Sequence, residues 1–237
     1  GAYVFTTTLA YVALRALGLP PDHPLCATAR TWLRGQPGGV LSVPTWGKLW
    51  LSLVGLYEWD GVNPFPPELF LLPEALPLHP DRYYCHTRYI YLAIAALYGA
   101  RARFDLGAEL TDALRRELYD RPYAQINFAA HRHDLAKSDV YVRPSAALRL
   151  AYEALRGHER LHNRALRQRA LRHCMTRIRY EQRATRYQGI SPVNGLLNCL
   201  ALARSADPED RAELEPSLAG VEAWRWEDPA EGVRYAG

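Results

Sequence analysis

The chain has 237 residues, of which 49% are hydrophobic, and this length is ample for a globular core. The formal net charge is +4, and nearly all of the positive charge is arginine, since Lys48 and Lys137 are the only lysines. No run of about 18 uncharged apolar residues occurs, so no membrane-spanning helix is predicted. The four cysteines are scattered without a CxxC pair, which argues against a zinc ribbon or a disulfide framework and fits reduced, cytosolic thiols.

Caps, prolines and apolar periodicity predict a succession of helices along the chain. Threonines at 6–8 cap the first helix, which ends at Gly18 before two prolines. No hairpin turn of the NG or DG type lies between alternating runs, so the predicted fold class is all-α. The later helices, and one short piece at 123–133, are predicted at 24–34, 44–59, 83–100, 108–119, 144–156, 161–180 and 192–203.

The arginine-rich stretch RALRQRALRHCMTRIRYEQR has two interpretations. It could be a basic face that binds RNA or anionic lipid. It could also be an ordinary solvated helix face, which is what a single run of charges usually is, and we favour this second interpretation. The stripe that would then face the core at helical spacing is Leu161, Ala165, Gln168, Leu171, Met175 and Ile178.

The stretch from Asp81 to Leu92, DRYYCHTRYIYL, surrounds one histidine with tyrosines. A metal site would show a second ligand at helical spacing, and neither this stretch nor the rest of the chain offers a recognisable ligand set, so no metal site is predicted. The concentration of aromatic faces around His86 therefore needs a different explanation.

Short helices that return on themselves stack into solenoids or close into αα-toroids. No internal repeat of fixed period is present, which disfavours an open solenoid of the tetratricopeptide type. We therefore predict an αα-barrel, with residues 1–237 forming a single partial domain.

An ordered set of motifs resembles the oxidosqualene cyclases of the terpene cyclase family. These motifs are PTWGKLW, YEWDGVNPFPPELF, LHP and YYCHTRYIYLAIAALYG, preceded by FTTTLAYVALRALGLPPDHP. Farther on, RRELYDRPYAQINFAAHRHDLAKSDVYVRP and YQGISPVNGLLNCLALA are also similar to segments of that family. The resemblance covers essentially the whole chain, in order and at nearly constant spacing.

The resemblance implies a reaction in which 2,3-oxidosqualene is converted to a tetracyclic sterol precursor through carbocations, without a cofactor. Aromatic faces attract a cation without forming a bond to it, and water must be excluded because it would trap the cation. His86 is implied to stand near the late cation and to remove the last proton, for which it must be neutral. Trp46, Tyr84 and Tyr91 are implied to line the substrate cavity.

The stretch RTWLRGQPGGVLSVPTW is similar to the Q…G…W repeat of terpene cyclases, with Gln36, Gly39 and Trp46 as its members. In that family the repeat ties helix ends together around the barrels. Trp46 therefore has a bracing and a cavity-lining interpretation, and we favour the second.

The connector at 62–80 is rich in proline and unusually apolar for a loop. It could pack across one end of a barrel. Since the resembling enzymes lie on membranes without crossing them, it could instead surround the mouth of the substrate channel at the cytoplasmic face. The residues expected there are Phe65, Leu69, Phe70, Leu71 and Leu72.

The resembling cyclases place their proton donor in a DCTAE motif, and hopene-forming relatives use DxDD; neither occurs in this sequence. We therefore expect an internal piece of a cyclase that is inactive alone and needs the remainder of its chain. Two alternatives stay open. One is a squalene–hopene or other triterpene cyclase, and the other is a non-catalytic helical module that binds RNA or a partner.

Overall fold

The protein is described by a computed structural model over residues 2–230 and 232–235. Helices dominate, so the predicted all-α class is confirmed, with one short antiparallel hairpin added. The helices are α1 Val4–Ala16, α2 Pro24–Arg34, α3 Thr45–Leu53, α4 Cys85–Gly99, α5 Ala108–Leu118, α6 Ala146–Leu161, α7 Arg164–Ala184, α8 Pro192–Arg204, α9 Pro208–Ala212 and α10 Leu214–Val221, and the strands are β1 Arg225–Asp228 and β2 Gly232–Tyr235.

Local side-chain caps explain where several helices begin. Asn163 accepts hydrogen bonds from the backbone N–H groups of Ala165 and Leu166, so it starts α7. Ser191 caps α8 in the same way, and Pro192 follows as its first residue, where no N–H is needed. These caps satisfy helix donors that would otherwise lack partners.

The chain divides into two compact units. Unit 1 comprises residues up to Pro64 together with Arg101–Arg156, and it packs α1, α2 and α5 against one another. The Tyr11 side chain is fully buried in this packing, and its hydroxyl donates a hydrogen bond of 2.8 Å to Glu117 on α5. Leu49 and Leu51 of α3 are also fully buried, so α3 belongs to the same core.

Unit 2 comprises Phe65–Ala100 and the chain from Gly157 onward, and α4 packs against both α7 and α8. The 3-10 helix Pro67–Leu71 also lies on α7. Gly99 allows this close approach, since a Cβ there would stand 2.8 Å from Pro67 and 3.0 Å from Leu171. The prediction of a single domain over the whole chain stays a prediction.

Several details of the predicted elements were wrong. Helices α9 and α10 lie beyond the last predicted helix at 192–203, and α6 continues past its predicted end at 156 to Leu161. Helix α3 ends at Leu53 instead of near residue 59, because Gly55 turns the backbone into the left-handed region at φ +72°. The piece at 123–133 forms 3-10 turns instead of an α-helix. The hairpin of β1 and β2 was missed because its connection contains neither an NG nor a DG turn.

The buried stripe of α7 also differs from the predicted one. Leu161, Ala165 and Gln168 are exposed, and the predicted stripe holds only at Ile178 among the fully buried positions. Charged partners in unit 2 draw polar side chains into the interface, which a purely apolar periodicity does not anticipate. The buried residues are Arg167, Ala170, Cys174, Ile178, Glu181 and Gln182.

Candidate functional site

Five aromatic rings meet in unit 2 and form what we call the Tyr91 cluster: Phe65, Phe70, Tyr83, Tyr91 and Tyr98. The Tyr91 ring lies 5.7 Å from Phe65, 5.9 Å from Phe70 and 6.1 Å from Tyr83, measured between ring centroids. Phe65 in turn meets Tyr98 edge-on at 6.1 Å. The Phe70 pair is tilted at 38°, and the other three pairs are edge-to-face, which is a favoured geometry for aromatic rings at these distances. The predicted cavity residue Tyr91 thus stands among π faces that could stabilise a cation.

His86 occupies the first turn of α4, and Tyr84 is the residue that precedes this helix. The two rings stack, with centroids 5.3 Å apart and planes 13° from parallel. The His86 Nδ1 atom lies 3.2 Å from the Cys85 sulfur. Both His86 and Tyr84 are exposed, Tyr84 to 71%, so their rings are accessible to a ligand or to a further segment of protein.

A cavity of about 250 Å³ in unit 2 lies beside the Tyr91 cluster and is lined by Phe70, Tyr89 and Tyr180 together with charged groups. Two of those groups are paired, since the Arg177 guanidinium donates to both Asp81 carboxylate oxygens at 2.7 and 2.6 Å. Arg88 stacks over the Tyr89 ring at 4.8 Å.

Most of the α7 arginines with assigned contacts face carboxylates of unit 2 itself. Arg167 contacts Glu68 and Glu159, Arg179 contacts Asp210, and Arg183 contacts Glu213. Guanidinium groups held by carboxylates are not free to contact phosphates. The arginine-rich stretch is therefore better explained as an ordinary helix face than as an RNA-binding surface.

Trp46 lies on α3 in unit 1, whereas Tyr84, His86 and Tyr91 belong to unit 2. Its half-buried ring meets the Trp50 ring edge-on, with centroids 5.7 Å apart. It also lines a cavity of about 250 Å³ in unit 1, which Asn63 and Tyr152 share. The Asn63 amide donates a hydrogen bond of 2.7 Å to the Thr45 hydroxyl, while its buried carbonyl oxygen has no hydrogen-bond partner among the described residues.

Gln36 and Gly39 lie in the turn between α2 and α3. The Gln36 amide donates to the backbone oxygen of Trp32, near the C-terminal end of α2, so this side chain braces a helix end. Gly39 adopts a left-handed conformation at φ +48°. Both residues border a cavity of about 1070 Å³ in unit 1. This placement fits the bracing role that the repeat resemblance implies for Gln36.

The connector residues expected at a membrane are placed unequally. Phe65, Leu69, Leu71 and Leu72 are half-buried, but Phe70 is buried against Tyr91 and the Arg177 guanidinium, so its assignment to a membrane surface was wrong. The large apolar side chains of the connector that are exposed are Leu76, at 42%, and Leu78, at 66%. None of the described helices is long and apolar enough to cross a bilayer.

Lys48, in the WGKLW segment, is a buried residue whose role the sequence pattern did not reveal. Its ammonium group donates hydrogen bonds to the backbone oxygens of His131, Arg132 and Asp134 at 2.6, 3.0 and 2.9 Å. These three acceptors match the three donors of an ammonium group. Burial lowers the pKa of Lys48 to about 8, so the side chain is charged at neutral pH and fastens the 131–134 turn to α3.

A second buried polar group is Glu181 on α7. Burial raises its pKa to about 7, while hydrogen bonds from Asn198 and Asn194 act in the opposite direction. The Asn198 amide donates to Glu181 at 3.2 Å and to Gln182 at 3.0 Å, which ties α8 to α7. Neither Lys48 nor Glu181 shows any sequence signal beyond its residue type, since both depend on partners distant along the chain.

Comparison with known proteins shows which family this chain is similar to. A family model described as the squalene-hopene cyclase N-terminal domain matches residues 1–230. Cycloartenol synthase of Dictyostelium discoideum is 40% identical over 199 residues, which is 84% of this chain and 28% of that protein. Lanosterol synthase of Pneumocystis carinii is 39% identical over 210 residues, which is 88% of this chain and 29% of that protein.

The human lanosterol synthase is 38% identical over 199 residues, covering 83% of this chain and 27% of that protein. The chain thus spans less than a third of the length of the curated relatives that it matches.

Proposed function

Because this chain belongs to the squalene-hopene cyclase N-terminal domain family, and is part of an αα-barrel of the terpenoid cyclase type, we propose that it forms part of an oxidosqualene cyclase. The reaction is an isomerisation of 2,3-oxidosqualene to a tetracyclic sterol precursor. The observation that carries this proposal is the identity of about 40% over most of the chain to cycloartenol and lanosterol synthases.

The chemistry starts with protonation of the epoxide by an acid that this chain does not supply. Positive charge then moves along the folded substrate as rings close, and it needs stabilising groups that do not form a bond to carbon. The Tyr91 cluster and the stacked Tyr84 ring offer such faces in unit 2. Trp46 offers one in unit 1.

The reaction begins by taking up one proton and ends by losing one, so the last step needs a base. We assign this role to His86. If its Nδ1–H donates to the Cys85 sulfur at 3.2 Å, the lone pair of Nε2 is free to accept the proton. Tyr84 stacks on the imidazole and restricts its orientation, which is what a positioned base requires.

A very apolar substrate is more soluble in a membrane than in water, so an enzyme that takes it up is expected to lie at a membrane surface. We propose that the connector, through Leu76 and Leu78, contacts the cytoplasmic face of a membrane without spanning it. Exposed leucines on a proline-rich loop favour this role, because a surface loop otherwise carries polar side chains.

The test is to express the complete reading frame that contains this sequence and to incubate the enzyme separately with 2,3-oxidosqualene and squalene. Gas chromatography with mass spectrometry identifies the products. We expect a tetracyclic 3-hydroxy product from the epoxide and none from squalene. Conversion of squalene alone would instead support the squalene–hopene type, and conversion of neither substrate would contradict a cyclase. The 237-residue chain alone is expected to be inactive.

A further inference from the structure

Unit 2 also holds a cluster of charged side chains that the cyclase proposal does not use. It joins the 3-10 helix Pro67–Leu71 to the end of α6 and the start of α7, and we call it the Glu68 cluster. Its members are Glu68, His158, Glu159 and Arg167. The ligand atoms of the first three lie within 4.8 Å of one another. Glu68 and Arg167 are 99 residues apart in sequence, so no local motif reveals the cluster.

Arg167 contacts one oxygen of Glu68 and both oxygens of Glu159. Its guanidinium donates to Glu68 Oε1 at 2.6 Å, and to Glu159 Oε1 at 2.6 Å and Oε2 at 3.4 Å. All three side chains are less than a tenth exposed. This guanidinium fixes the carboxylates in space, as hydrogen-bonded outer partners do around metal-binding carboxylates.

The other side of the cluster has polar atoms without partners. Glu68 Oε2 and His158 Nε2 are both inaccessible to solvent, and neither has a hydrogen-bond partner among the described residues. These two atoms lie 3.7 Å apart, which is beyond hydrogen-bond range and makes an ion pair only when His158 is protonated. A buried polar atom without a hydrogen bond destabilises the folded state. Two such atoms side by side therefore indicate a ligand that both can bind.

The charges favour a cation as that ligand. Two carboxylates and one guanidinium leave a net charge of −1 when His158 is neutral. A nitrogen and two carboxylate oxygens form a ligand set that suits zinc and related divalent transition metals. Ligand atoms about 2.0–2.1 Å from a tetrahedral zinc are about 3.3 Å apart. The Glu68 and His158 ligand atoms are 3.7 Å apart, and all three ligand atoms lie within 4.8 Å of one another, so small side-chain shifts would close the site around an ion.

We propose that Glu68, His158 and Glu159 form a binding site for a divalent transition-metal ion, with Zn²⁺ as the representative ion and Arg167 as the outer partner that orients the carboxylates. The half-exposed His158 ring, 38% accessible at its side chain, provides the path of entry. Such a site would clamp the connector to the turn between α6 and α7. The proposal is independent of the proposed cyclase function, since it concerns unit 2 alone.

The experiment uses the 237-residue chain, treated with a chelator and then dialysed. Thermal unfolding is followed with zinc chloride and, separately, magnesium chloride, and Co²⁺ absorption is recorded in the visible range. With zinc at about 100 times its Kd, we expect Tm to rise by about 5–11 °C, and we expect little change with magnesium. Co²⁺ should give the visible absorption band of a tetrahedral site.

His158→Gln removes the nitrogen ligand while leaving the Arg167 contacts in place, and it should abolish the zinc shift. His133→Gln is the matched control, because His133 has the same side-chain exposure of 38% but faces only one glutamate, Glu153, at 3.1 Å among the described residues. It should keep the shift. An unchanged Tm and no cobalt band in the wild-type chain would overturn the proposal, as would an equal zinc shift in His158→Gln or a lost shift in His133→Gln.

Discussion

Replacing Lys48 by methionine tests how the WGKLW segment holds unit 1 together. Methionine has nearly the same length as lysine but cannot donate, so three backbone oxygens of the 131–134 turn lose their partner. Hydrogen bonds to a charged group contribute about 1.5–3 kcal/mol each. Burial of the ammonium opposes them: lowering its pKa from 10.5 to about 8 corresponds to about 3.4 kcal/mol.

The balance of these opposing contributions leaves the variant less stable by about 3 kcal/mol, which corresponds to a lower Tm by about 6–12 °C for a chain of this size. The pH dependence has a definite sign. The unfolded chain keeps the Lys48 proton up to about pH 10.5, whereas the folded chain loses it near pH 8. The unfolded state therefore binds more protons between these values, and the stability contributed by this group rises with pH across that window.

Urea unfolding at pH 7, 9 and 10.5 measures both effects through the midpoint concentration. Lys137→Met is the matched control, because Lys137 is the other lysine of the chain and is exposed. It should change the midpoint little at any pH. A Lys48→Met midpoint equal to wild type at pH 7, or an unchanged difference between the two proteins from pH 7 to 10.5, would show that Lys48 does not hold the 131–134 turn to α3.

Three further predictions address unit 2. Burial raises the pKa of Glu181 from 4.5 to about 7, so the folded state binds more protons between these values and wild-type stability should fall as pH rises through them. Glu181→Gln should remove this decline, measured by urea unfolding at pH 5 and 8. The same loss of stability from pH 5 to 8 in both proteins would argue against this reason. Arg167→Met should destabilise by about 3–5 kcal/mol in urea unfolding because it removes the guanidinium that pairs with two buried carboxylates, whereas the exposed Arg169→Met should be near neutral. Equal losses in the two variants would contradict this reason. The double change Leu76→Ser and Leu78→Ser should lower the fraction of protein that floats with vesicles at least about tenfold. Leu17→Ser is the control, because Leu17 is exposed to 78% but lies outside the connector, and it should not lower flotation. Equal binding by wild type and both variants would exclude the connector as the membrane contact.

Patterns close together in sequence predicted much of the fold. The bounds of α2 were predicted to the residue, and those of α5 and α8 to within one residue, because caps, proline and apolar spacing are local signals. The end of α3 was not predictable in this way, since it depends on the left-handed turn at Gly55. The hairpin near the end of the chain escaped notice because nearly all of its side chains are exposed, which leaves no alternating apolar face.

The site was predictable only in part. Sequence resemblance singled out His86, Tyr84, Tyr91 and Trp46, and the structure stacks the first two and places Tyr91 among aromatic rings. The interior role of Phe70 was not predictable, because a connector sequence does not show which of its apolar side chains turns inward. Ionic contacts such as Arg167 with Glu68 join distant segments, and only packing brings them together.

The most direct test of the central claim is the product formed by the complete enzyme carrying His86→Ala. With 2,3-oxidosqualene as substrate, we expect the rate of tetracyclic product formation to fall about 10²–10⁴-fold, with products from incomplete or displaced deprotonation, because the base at the end of the cation's path is gone. His23→Ala, which alters only the cap of α2, should leave the product and its rate essentially unchanged. The same tetracyclic product at the wild-type rate from His86→Ala would contradict the account.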